Sequence, residues 1–300
     1  MASAYDIQPL GRHRCLLGES PLWHPDEHML YCVDIPGRQI LRWTAGSDEP
    51  EVFAQDAEPG CIAARAGGGL VVARRDGLWA MDTRDGGLIA LAGPPYDPSR
   101  QRYNDGKPDA AGRWWIGALS DARAPEAALY RITPAGAEPM LGGIAVSNGL
   151  AWSPDGTVLY RSDTKAHTIW AHAFDLHSGT LGEGRVFASF APRTPDQPLA
   201  SYGGRPDGAA VDESGAYWVA MFEGAQLLRY AADGVLLEVV PLPVRCPTMP
   251  AFGGADGRTL FITTARDKRP ADELAREPWA GAVLSLRVAV PGLPAQRCRL

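Results

Sequence analysis

The sequence predicts an all-β chain, a six-bladed β-propeller, and three observations carry that expectation. Gly (34) and Pro (26) cut the 300 residues into short runs rich in Val, Ile, Trp, Tyr and Thr, a strand-and-turn composition. No segment reads as a long amphipathic helix. The chain also repeats itself: "PLWHPDEHMLYCVDI" (21–35) and "LAWSPDGTVLYRSDT" (150–164) match at an offset of 129 residues, pairing Trp23 with Trp152, Leu30-Tyr31 with Leu159-Tyr160, and Asp34 with Asp163. Repetition at a fixed period decides architecture before single elements are assigned.

The blades follow in order from one recurring turn ahead of an apolar strand. Blade one, roughly 14–56, has that turn at Glu27 in "HPDEHMLY" and a following strand "QILRW"; blade two, 57–99, has Gly68 in "AGGGLVVA" and then "GLWAMD". Blade three, 100–143, has Gly112 in "AAGRWWIG" and "ALYRI"; blade four, 144–188, has Gly156 in "SPDGTVLY" and "TIWAHAF". Blade five, 203–245, has Gly215 in "ESGAYWVA" and "QLLRY"; blade six, 246–290, has Gly257 in "ADGRTLFI" and "AVLSLRV". The gaps between markers are 41, 44, 44, 59 and 42 residues, so the opening match spans three blades and sets blade one across the channel from blade four. The long gap marks an insertion at 189–205, expected over one mouth. Residues 4–13 and 293–300 are left to close the ring, and "DELAREPWAGAV" (272–283) reads as a short helix entering the last strand. All 300 residues then form one domain. A β-sandwich would also give many short strands, but it does not predict six copies in register.

Composition narrows the function. A net charge of −6 without a Lys/Arg-rich run excludes a nucleic-acid or anionic-membrane surface and suits a small polar or neutral partner. Five scattered cysteines, Cys15, Cys32, Cys61, Cys246 and Cys298, show neither CxxC nor zinc-type spacing and read as free thiols. No secretory h-region follows Met1 and no apolar run approaches a membrane span. A soluble cytoplasmic protein is expected, a monomer or weak homo-oligomer with no dimer stripe.

The innermost strand of each blade begins at the channel, so equivalent positions converge there. Eight residues before each marker stand Glu19, Gly60, Asn104, Asn148, Asp207 and Met249. One Asn or Asp in "NDG" or "PDG" would ordinarily support its own turn. Four oxygen-bearing residues in register, two of them carboxylates without a local lysine, would repel unless a cation compensated them. Oxygen donors without His or Cys suit Ca²⁺, Mg²⁺ or Mn²⁺. Other candidates are weaker: His24 and His28 span a turn and read as surface imidazoles, and His13, His167, His172 and His177 have no partner in the pattern. Ser20 in "GESPL" lacks a nucleophile elbow, "AGGGL" lacks phosphate-cradling context, and Trp114, Trp115, Trp152 and Trp218 read as inter-blade packing.

The stretches "LLGESPLW" (16–23), "RYNDGKPDAAGRWWIG" (102–117), "SNGLAWSPDGTVLYRSDT" (147–164), "RPDGAAVDESGAYWVA" (205–220) and "FGGADGRTLFITTAR" (252–266) resemble the senescence marker protein/gluconolactonase family, which includes regucalcin and bacterial sugar lactonases. The resemblance covers nearly the whole chain. It implies a six-bladed propeller with one divalent metal in a central metal-binding channel, held by residues matching Glu19, Asn148 and Asp207, with Ca²⁺ favoured and Mg²⁺, Mn²⁺, Zn²⁺ or Fe²⁺ as alternatives. It implies substrate contacts from Arg102 and Asn104, and from Asp121, whose spacing in "GALSDAR" is off by about one. The implied activity is hydrolysis of an aldono-1,4- or 1,5-lactone, gluconolactone-like or a pentonolactone, to the aldonic acid in sugar catabolism. Asp207 is the expected general base. Two rivals stand beside this reading: an aryl esterase or organophosphate hydrolase on the same propeller, favoured if Trp279, Tyr103 and Tyr202 line the mouth, and a non-catalytic calcium-binding propeller. Fold alone does not choose among them.

Overall fold

The computed structural model describes residues 5–44 and 47–300, so Ala4 of the expected closing segment and residues 45–46 of blade one lie outside it. Six four-stranded antiparallel sheets stand around one axis, five of them with their strands in sequence order from the inside out. The inner strands are Gly18–Trp23, Pro59–Ala64, Gln101–Pro108, Ser147–Trp152, Arg205–Val211 and Pro247–Gly253. Each packs on the next, and the sixth returns to the first.

Ring closure uses the N-terminus. Gln8–Pro9 pair with Leu284–Arg287 and become the outermost strand of blade six, so one sheet joins both ends of the repeat array. Residues 293–300 do not join this sheet. Gly292 bridges to Asp212 in blade five and Cys298 to Arg65 in blade two, which carries the last residues across the end of the channel where the inner strands finish. The expected short helix is Ala271–Arg276.

Large aromatics seal the joints between blades. Trp115 meets Trp152 and Phe174 of blade four at 6.4 and 5.5 Å, and Trp218 of blade five meets Phe252 of blade six at 6.2 Å. The Trp115 and Trp218 indole N–H groups are satisfied within their own blades, by Asp109 (2.9 Å) and Asp212 (3.0 Å), while that of Trp152 is buried without a hydrogen-bond partner. The repeated aspartates are clamps. Asp34 accepts from the backbone of Leu16 and Leu17, and Asp163 accepts identically from Ala145 and Val146, which ties the entry of blades one and four to their second strands.

A register shift interrupts the inner strand of every blade, between Glu19 and Leu22, Pro59 and Cys61, Tyr103 and Gly106, Asn148 and Ala151, Pro206 and Ala209, and Pro247 and Met249. Such bulges bend a strand and re-aim a side chain. Here they fall at the positions that the repeat phase singles out.

Candidate active site

Glu19, Asn104, Asn148 and Asp207 line one cavity of about 340 Å³ at the end of the channel where the inner strands begin. Arg102, two residues before Asn104 on the same strand, lines it as well. Of the other two positions at this phase, Gly60 supplies no side chain: a Cβ there would come within 2.3 Å of the Tyr103 carbonyl oxygen. Met249 is buried and faces a second chamber of about 260 Å³ at the opposite end.

The polar groups form a directed chain. Arg102 Nη1 donates to Asn104 Oδ1 (2.8 Å), Asn104 Nδ2 donates to Asn148 Oδ1 (2.8 Å), and Asn148 Nδ2 donates to Asp207 Oδ1 and to Thr164 Oγ1 (2.8 Å). The arginine has no free acceptor, so the direction is fixed, and each amide is oriented by its predecessor. Glu19 stands apart, with only a 3.4 Å contact from the Ser20 backbone N–H. Among the described residues neither Glu19 nor Asp207 makes an ion pair.

Burial therefore acts on these carboxyls with little compensation. It holds Glu19 well above the ordinary range, with Asp207 and Asp105 adding repulsion, and pushes Asp207 up to about 8, where Asp105 again opposes ionisation and Arg205, Arg102 and Arg123 favour it. Arg102 is pulled down to about 10 by the same burial. Two buried carboxylates without a partner are costly, and the donors facing each other are carboxylate and carboxamide oxygens only. The residues present fit a hard divalent cation.

Asp121 is placed elsewhere. Its carboxylate takes a bidentate bond from Arg75 (2.9 and 3.1 Å) outside the cavity lining, a destination invisible without the fold. Arg123, two residues on, does line the cavity, joined by Lys165 and Arg205. Sequence reasoning missed these three cations, and it missed Asp105 and Lys107 below the site. Asp105 Oδ2 accepts from the Leu150 N–H (2.9 Å), Lys107 donates to the Ala209 carbonyl, and burial shifts both towards their neutral forms.

The aromatic residues that would suit an aryl ester are not at this mouth. Tyr103 is buried between blades two and three, Tyr202 is buried with its hydroxyl on His167 Nε2 (2.7 Å), and Trp279 packs on the core between blades five and six. Phe222 is the one aromatic residue lining the cavity among the described residues. The insertion is pinned beside the mouth: Tyr202 holds it to His167, Arg245 donates to the Leu199 carbonyl (3.4 Å), and its end delivers Arg205. His24 departs from the surface expectation: it is buried, and its Nδ1 accepts from the Asp26 and Glu27 N–H groups and caps their turn.

Comparison with known proteins follows the same lines. A profile described as SMP-30/Gluconolactonase/LRE-like region matches residues 17–266. A 6-deoxy-6-sulfogluconolactonase from Pseudomonas putida is 39% identical over 283 residues, covering 94% of each chain. Regucalcin from Oryctolagus cuniculus is 31% identical over 301 residues, covering 97% of this chain and 98% of its own. The crystal structure of a calcium-binding protein, regucalcin from Agrobacterium tumefaciens, superposes with a TM-score of 0.90 at 26% identity, over 99% of this chain and 98% of that one.

Proposed function

The chain belongs to the SMP-30/gluconolactonase/LRE-like family, and from that premise we propose that it hydrolyses the ring ester of a sugar lactone to the open-chain aldonic acid, using a divalent cation held by Glu19, Asn148 and Asp207. The observation that carries the reading is the meeting of two buried, unpaired carboxylates with two mutually oriented carboxamides on the wall of a polar cavity. The names of the relatives support it, one a sulfogluconolactonase and one a calcium-binding protein. Calcium is the favoured ion.

When bound, the cation would polarise the lactone carbonyl and lower the pKa of a neighbouring water. The protein's own groups do the rest. Asp207, oriented by the Asn148 amide, takes the proton from the attacking water and returns it to the departing ring oxygen. Arg102 and Asn104 meet the sugar hydroxyls, and the donor chain that starts at Arg102 keeps Asp207 aimed at the cavity.

The mouth also carries a substrate preference. With Glu19 and Asp207 balanced by a divalent ion, the charges of Arg102, Arg123 and Lys165 are left over, while Arg205 is shared with Glu223 at 3.1 Å. A lactone bearing an anionic substituent away from the ring carbonyl, such as a sulfonate or carboxylate, matches that excess.

The test is to chelate the protein, verify the metal content by elemental analysis, and assay neutral and sulfonated gluconolactones before and after restoring calcium. Hydrolysis should vanish and return with the ion. Full activity in metal-free protein would exclude the metal site, and absence of turnover with every lactone in loaded protein would favour a calcium-binding propeller without catalysis. Arg123→Gln with Lys165→Gln should raise KM for the sulfonated lactone about tenfold or more while leaving the neutral one nearly unchanged; equal effects on both would remove the anion preference alone.

A further inference from the structure

We propose that His13, Cys15 and Asp34 form a second cation site, suited to a borderline divalent ion such as zinc, at the entry to blade one. A ring nitrogen of His13, the Cys15 sulfur and a carboxylate oxygen of Asp34 lie within 4.8 Å of one another, and theirs is the one such His/Cys/Asp/Glu group among the described residues. Cys15 and Asp34 are buried while His13 is half-buried, so an ion would enter past the imidazole. His13 Nε2 is itself buried and has no hydrogen-bond partner, a condition native structures seldom leave unanswered.

The internal repeat supplies a control. At the offset of 129, Asp163 accepts the same two backbone N–H bonds as Asp34, but Gly142 and Ile144 stand where blade one has His13 and Cys15. The fold therefore needs the aspartate clamp and does not need an imidazole or a thiol beside it. Asp34 keeps acceptor capacity: Oδ1 receives Leu17 and Gly37, Oδ2 receives only Leu16 (2.9 Å), and a carboxylate offers about four lone-pair positions. Zinc binds nitrogen, sulfur and oxygen at about 2.0–2.3 Å, so these three atoms need draw in only slightly to share one ion. Mixed N/S/O donors differ from the all-oxygen set in the channel, and the two sites should sort cations by hardness. The proposal does not depend on the lactonase reading.

Cadmium is the probe, because a thiolate bound to it gives a near-ultraviolet charge-transfer band that oxygen ligands do not. Full-length chelated protein titrated with cadmium should develop the band to one equivalent, zinc should erase it, and excess calcium should not. Cys15→Val, chosen because blade four tolerates a β-branched isoleucine at the matching position, should abolish it, and His13→Gln should weaken the affinity about tenfold or more. Cys32→Ala should keep it. Circular dichroism establishes that each variant is folded, and the wild-type titration decides even if one is not: no band in the parent protein, a band surviving Cys15→Val, or a band that follows Cys32 would overturn the assignment.

Discussion

Asp207 is asked to do two things, and its surroundings say how to separate them. As a ligand it contributes charge and an oxygen, and as a base it must accept a proton. Asp207→Asn keeps an oxygen donor but cannot take the proton, whereas Asn148→Ala removes a neutral donor and the hydrogen bond that orients Asp207, yet leaves a carboxylate able to accept the proton. Asn148→Ala should therefore weaken metal affinity, with part of the rate recovered by excess ion. Asp207→Asn should retain at least part of its metal yet lose turnover by roughly a hundredfold or more, the usual size of a general-base contribution. Metal content and turnover measured on one Asp207→Asn preparation decide the matter. Parent-rate hydrolysis at full occupancy would remove Asp207 as base. The four residues of this centre were legible in the sequence because they share one phase of the repeat. Arg123 and Lys165 were not, because they sit in turns away from that phase, and Arg123 adopts a positive φ of 55° that no periodicity announces; Arg205 begins its inner strand and stands two residues before Asp207, as Arg102 stands before Asn104, and was passed over.

At the scale of the element, the bulge converts a pattern of alternating faces into a site. Strict alternation would send neighbours such as Asn104 and Asp105 to opposite faces, yet both lie close to Glu19 and Asp207. This is why Asp105 and Lys107 escaped the sequence reading while the strands themselves did not. The bulge after Asn148 is built on Gly149, whose φ is +67° and whose absent Cβ would stand 2.6 Å from the Tyr217 hydroxyl and 2.7 Å from Ser162 Oγ. Tyr217 in turn donates to the Gly149 carbonyl (2.9 Å), linking blades four and five at the site. Gly143 has a similar φ of +73° but nothing within 4 Å of its missing Cβ. Gly143→Ala should show backbone strain alone, about 1 kcal/mol, and Gly149→Ala should lose about 1–3 kcal/mol more and bind metal less tightly, because Asn148 must move with its neighbour. Thermal melts and metal titrations on the two variants test this. Equal losses would mean that the contact with Tyr217 has no part in holding the ligand.

At the scale of the molecule, a closed ring forces side chains from four blades into one small volume, and the buried acids there link folding to pH. In the metal-free protein Glu19 and Asp207 have folded pKa values raised above the ordinary carboxylate value of about 4 that they take when unfolded, Asp207 up to about 8. The folded state therefore binds more protons than the unfolded state between about pH 4 and pH 8. Linkage then requires the contribution of these groups to be fully present below pH 4 and to be lost as pH rises through their folded values. His167 and His172, held below their usual values by burial, work in the opposite direction, so the raw melting curve mixes two slopes. A comparison isolates the acids: the difference in Tm between chelated parent protein and the Glu19→Gln, Asp207→Asn double variant should fall steadily from pH 5 to pH 8. Calcium should remove that decline, because an ion that displaces the protons binds more tightly as pH rises and stabilises only the folded ring. A difference in Tm that stays flat across this window, with or without calcium, would mean that the two carboxyls are already compensated by their neighbours and that the centre does not need an ion to hold its charge.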